Sequence, residues 1–184
     1  MIKAEKMIKD LKFLETRKTL YVNKFPYNLG FIWKYGSLSF DCINMIKAYL
    51  SYPKIVYKTK PAGFYVKLKM PDVTGKGLMQ LCGKKSKNFK KVIPGADLLY
   101  NDWDHSGIYV GDFRDGSGVV NVIECTTDWD ANGVTTSYMD ENGGRWDHKG
   151  GTYYGDWIMW GLLDKYVDYS GVIPKPKKKA ALKK

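Results

Sequence analysis

Residues 94–126 read PGADLLYNDWDHSGIYVGDFRDGSGVVNVIECT, and the periodicity of the chain changes where they begin. Before Pro94, apolar residues recur at helical spacing. After Gly95 they alternate in short runs punctuated by Gly, Asn and Asp, the pattern of strands and turns. Alternation puts His105, Gly107 and Tyr109 on one strand face and Ser106, Ile108 and Val110 on the other. The same reading gives strands at 96–101, 105–111, 119–126, 133–138 and 157–163, joined by turns that include DGSG (115–118), DANG (130–133) and NGG (142–144).

Upstream, residues 3–18 place Ala4, Met7, Ile8, Leu11 and Leu14 at helical spacing. A second helix opens at Ser39 to Asp41, which can cap its free N–H groups, and stops before Pro53. A third is capped within Asp72 to Thr74 and ends at Gly83. Residues 20–37 and 54–72 mix aromatics with Gly and Pro and read as extended or irregular chain. Helices first and consecutive strands afterwards predict an α+β domain over 1–172, with N-terminal helices packed on a C-terminal antiparallel sheet of five or six strands. Residues 173–184 read as a basic, low-complexity tail.

The 184 residues are 44% hydrophobic and 27% charged, enough for one domain with an ordinary core. No apolar run approaches bilayer length and the first residues lack an export signal, so we expect a chain made in soluble form that does not insert into membranes. Three cysteines rule out full internal pairing, and none has zinc-site spacing. Residues 128–133 imitate the start of a calcium loop, but Met139 stands where its bidentate acid belongs, so neither a metal nor a cofactor is expected. The formal charge of +11 is unevenly spread: residues 97–168 hold fourteen acids against four bases, while lysines crowd 54–91 and the tail. Such a surface attracts polyanions; nucleic acid, without a recognisable binding motif here, is the lesser candidate.

Chemistry points to Cys42. It falls in the first turn of the second helix, where unpaired N–H groups and the macrodipole favour a negative sulfur. Cys82 lies at a helix end and Cys125 on a strand facing the core. A thiol nucleophile needs a base, and of the two histidines His105 is fixed on a strand whereas His148 sits in a polar loop. Glu124, alone on an apolar strand, either orients His105 or lies on an exposed face.

The segments FDCINMIKAYL (40–50), PGADLLYNDWDHSGIYVGD (94–112) and VIECTTDWDANGVTT (122–136) resemble the NlpC-type cysteine peptidases in their bacteriophage endolysin form. The resemblance implies a papain-like core with Cys42 as nucleophile, His105 as base and acid, and Glu124 as the orienting residue. It implies hydrolysis of an amide in the peptidoglycan stem peptide, with N-acetylmuramoyl-L-alanine amidase as the alternative. Tyr27, Asp41 and Trp103 are the expected substrate contacts, and Tyr21 or Tyr27 the tyrosine near the oxyanion. Partners would be peptidoglycan and anionic wall polymers, reached from the host cytoplasm after holin action or from the virion. The competing class is a non-catalytic polyanion-binding domain.

Overall fold

Strand β1 (Ile2–Lys3) leads into helix α1 (Ala4–Glu15), which buries Ala4, Met7, Leu11 and Leu14 on one face. The chain then lays down β2 (Thr19–Tyr21), β3 (Leu29–Lys34) and β4 (Ser37–Phe40). Helix α2 (Cys42–Ser51) follows β4 at once, because Asp41 caps it: the carboxylate accepts the Asn44 N–H at 2.6 Å. A 3-10 turn at Pro53–Tyr57 ends this part, and β5 (Tyr65–Lys67) completes a small sheet of order β2-β4-β3-β5. Helix α3 (Gly75–Leu81), capped by Thr74, and β6 (Lys85–Ser86) come next. The computed structural model describes residues 1–23, 27–34, 37–59, 65–100, 104–111 and 121–173. The DGSG turn, Trp103 and the tail from residue 174 lie outside them.

The second half is a meander of β7 (Asp97–Tyr100), β8 (Ser106–Tyr109), β9 (Val122–Thr126), β10 (Gly133–Met139), β11 (Gly144–Trp146) and β12 (Tyr153–Gly161). Each strand is antiparallel to the one before it, and β12 also pairs with β7, so six strands close into a barrel. Strand β6 adds to the free part of β12, and β13 (Val167–Asp168) runs parallel to β1.

This closure corrects the expected papain-like α+β arrangement of helices laid on an open sheet. The cause is one long, divided strand. Residues 153–156 of β12 pair with β11, and residues 157–161 pair with β7. The changeover coincides with a register shift between Trp157 and Met159 and with Gly155 at φ 110°, a left-handed conformation open to glycine. Strand β11 spans only Gly-Arg-Trp, too short for alternation to reveal, and the small sheet lies in segments read as irregular. The five expected strands all exist with shifted ends, β12 starting at Tyr153 instead of 157.

Helix α2 is held between the two sheets, packing on β3 and β5 on one side and on β8 and β9 on the other. Its N-terminus therefore has a fixed position relative to the barrel. The barrel interior takes the inward residues of each strand, among them Val122, Glu124, Trp157 and Arg145, all buried. Gly107 faces this interior, where a Cβ would stand 3.0 Å from the Trp157 ring, 3.1 Å from Val122 and 3.3 Å from Glu124. Gly107→Ala should therefore destabilise the fold by about 1–3 kcal/mol through overpacking, read as a lower midpoint in urea unfolding; an unchanged midpoint would show that the interior can yield.

Candidate active site

Cys42 is the first residue of α2 and is partly exposed. Its own backbone N–H belongs to the first turn, where no carbonyl lies four residues back to receive it. His105 immediately precedes β8 on the inward-facing parity, and its carbonyl accepts the Tyr100 N–H at 2.9 Å across the hairpin. Asp104 fixes the approach to it: its backbone is left-handed at φ 56°, and its carboxylate accepts the Lys76 N–H at the start of α3 at 2.5 Å. The His105 ring stacks on Trp157 with centroids 5.7 Å apart and meets Tyr100 edge-on at 6.0 Å.

The imidazole has two polar neighbours. Its Nε2 lies 2.5 Å from Glu124 Oε2, and the Cys42 thiol is close enough to act on the ring's protonation. With Nε2 engaged by the carboxylate, Nδ1 is the nitrogen left for sulfur. Burial favours the neutral ring, but the interactions with Cys42 and Glu124 outweigh it and lift the His105 pKa from 6.5 to about 9. Cys42, His105 and Glu124 thus form one continuous line, and of the two readings of Glu124 the geometry has it facing His105.

Glu124 is completely buried and fully engaged. Arg145 on β11 donates from Nε to Oε1 at 3.2 Å and to Oε2 at 3.1 Å, and from Nη2 to Oε2 at 2.5 Å, while the Ser137 hydroxyl donates to Oε1. Burial would raise this carboxyl; the Arg145 charge and the His105 contact overcome that and hold it at about 2. Arg145 is itself buried, its Nη1 2.8 Å from Asp128, with the guanidinium 4.8 Å from the Trp129 ring centroid and 5.0 Å from that of Tyr100. The sequence reading counted Arg145 only as a charge. A usable signal existed: it is one of three arginines among thirty basic residues, and it stands in the acidic half of the chain, where a planar, bidentate cation is worth more than another lysine.

His105, Arg145 and Asp128 line a cleft of about 440 Å³ together with Tyr21, Tyr100 and Tyr154. Tyr21 lies near Cys42: burial and the nearby Cys42 and Asp41 push its hydroxyl up to about 12, whereas Tyr27 is 79% exposed. Asp41 is committed to the helix, its Oδ1 and Oδ2 accepting from Asn44 N and Nδ2 at 2.6 and 2.8 Å. Trp103 lies outside the described residues. The other thiols are buried, and burial pushes both Cys82 and Cys125 upward; Cys125 donates to the Phe40 carbonyl at 3.4 Å. Among the described residues no group of three or more His, Cys, Asp or Glu side chains could hold a metal ion, and residues 128–133 form the turn between β9 and β10.

The shifts set a pH window for stability. His105 is raised, so its contribution is complete below 6.5 and is lost as pH rises through about 9. Glu124 is lowered, so its contribution is complete above 4.5 and is lost as pH falls toward about 2. Both are in full force only between pH 4.5 and 6.5, where these two groups should place the maximum in thermal melts. Glu124→Gln should cost about 3–5 kcal/mol by leaving Arg145 buried without its carboxylate, and Glu124→Leu with Arg145→Met should recover much of that loss in urea unfolding. No protein-family model, no curated protein and no solved structure matches the chain, so the reading of its function rests on this arrangement of side chains.

Proposed function

We propose that the protein is a cysteine hydrolase that cuts an amide bond in bacterial peptidoglycan. The observation that carries the reading is the line from a helix-terminal thiol to a buried, ionised carboxylate through one imidazole. In this mechanism the Cys42 sulfur adds to the carbonyl carbon while its proton resides on His105. The Cys42 backbone N–H faces the developing oxyanion. His105 then protonates the departing amine, and water, activated by the same ring, releases the acyl group from sulfur. Glu124 keeps the ring oriented and charged, with Arg145 holding Glu124 ionised.

Peptidoglycan as substrate is supported by the resemblance of 40–50, 94–112 and 122–136 to NlpC-type peptidases, which here concerns the chemistry and not the fold. The reading places the enzyme in the host cytoplasm until a holin opens the membrane, or in the virion. No described helix is long and apolar enough to cross a membrane. Anionic wall polymers would be held by the exposed lysines Lys84, Lys85, Lys87, Lys90 and Lys91 on and beside β6. These lysines also favour the second reading, a polyanion-binding domain without turnover.

Clearing of purified Gram-positive walls separates the two. Wild-type protein should clear them, Cys42→Ala should not, and His105→Ala should slow clearing by about 100- to 10,000-fold. The rate should fall as pH rises through about 9, where His105 loses the proton it gives to the leaving amine. New amino termini in the released fragments would distinguish a stem-peptide cut from cleavage at the muramoyl-alanine bond. Binding that weakens with salt, and no clearing by any form, would favour the binding domain.

A further inference from the structure

Asp128 has an oxygen to spare in the cleft. It follows β9 in a turn fixed by its own N–H donating to Thr126 Oγ1 at 3.1 Å and by the Ala131 N–H donating to its carbonyl at 3.0 Å. Its Oδ2 meets Arg145 Nη1 at 2.8 Å, yet the side chain remains 42% exposed, and Oδ1 has no hydrogen-bond partner among the described residues. The next residue, Trp129, is held left-handed at φ 40°, with its ring edge-on to Tyr154 at 5.0 Å. Such a backbone persists in a non-glycine residue only where the surroundings impose it, and here it fixes the wall that carries Asp128.

Charge completes the case. Arg145 lends Asp128 one nitrogen, while its Nε and Nη2 are taken by Glu124. Glu124 and Asp128 stand against Arg145 and His105, and because most of the guanidinium is committed to Glu124, Asp128 is the carboxylate that Arg145 satisfies least. Tyr21, Tyr100 and Tyr154 complete the cleft wall beside Asp128.

We propose that Asp128 is the specificity-determining residue of this cleft and binds a primary ammonium group on the peptide whose amide Cys42 attacks. The inference rests on the hydrolase reading for the attack by Cys42, but not for the recognition itself. A peptide can supply the ammonium from its amino terminus or from a diamino side chain, and acetylating one or the other tells them apart.

The probe is synthetic L-alanyl-γ-D-glutamyl-L-lysyl-D-alanine in three forms: free, acetylated at the amino terminus, and acetylated on the lysine side chain. With wild-type protein, one of the two acetylations should raise KM about 10- to 100-fold, the range for a hydrogen bond to a charged group, with little change in kcat. Asp128→Asn should raise KM for the free peptide by a similar factor and erase the distinction among the three. Equal KM for all three with wild type, or unchanged discrimination in Asp128→Asn, would overturn the proposal. Calorimetric titration of the Cys42→Ala protein with the same peptides reads recognition without turnover. A preference for one free amine there supports Asp128 recognition even where no peptide is hydrolysed, which would count against the hydrolase reading alone; equal or absent binding of all three overturns it. If Asp128→Asn fails to fold, the two acetylated peptides still decide the matter on protein with Asp128 in place.

Discussion

The ion pair between Arg145 and Glu124 inside the barrel is the interaction on which the rest of the site depends. Its effect can be seen against an internal control. Asp97, on β7 of the same barrel, is as buried as Glu124, but neither of its oxygens has a hydrogen-bond partner among the described residues, and burial drives its pKa well above the usual carboxylate range. Glu124 goes the other way because a guanidinium faces it through three contacts. Two carboxyls at equal depth are thus shifted in opposite directions, and it is the one shifted down that hydrogen-bonds the histidine through which the proposed chemistry runs.

That pair is expensive to desolvate, and a hydrophobic replacement would fill the same barrel with less penalty. Its retention makes sense as a constraint on His105. An imidazole stacked on Trp157 and tied at Nε2 has one ring orientation and one nitrogen left to offer. The barrel contributes rigidity: the residues that hold the ring come from β9, β11 and β12, strands locked to one another around a closed circuit. Cys42 is supplied from outside that circuit by α2, whose start is set by the Asp41 cap and whose body is clamped between two sheets.

The parts of this design that obey local rules were legible in the sequence. Period-two alternation located His105 and Glu124 on neighbouring strands, and the cap pattern at Asp41 put Cys42 at a helix start. What escaped were features created by long-range pairing. Closure of the barrel depends on β12 dividing its hydrogen bonds between β11 and β7, and no window of residues 144–161 encodes which partner each half will find. Arg145 escaped for the same reason, since its partner lies twenty-one positions earlier and meets it only across the interior. Tyr21 and Tyr27 look alike as letters; only the packing of β2 beside β4 separates the half-buried ring from the exposed one.

The divided strand also governs when the site comes into being. A ribosome delivers Cys42, His105 and Glu124 long before residues 153–161, yet the circuit that encloses Glu124 is not complete until β12 has reached β7. Contacts so distant along the chain form late and slowly. A nascent or truncated chain therefore carries the thiol and the histidine without the enclosed carboxylate that orients the ring. The surroundings of His105 are therefore completed only with the last strand of the barrel, a timing set by the topology of the barrel itself.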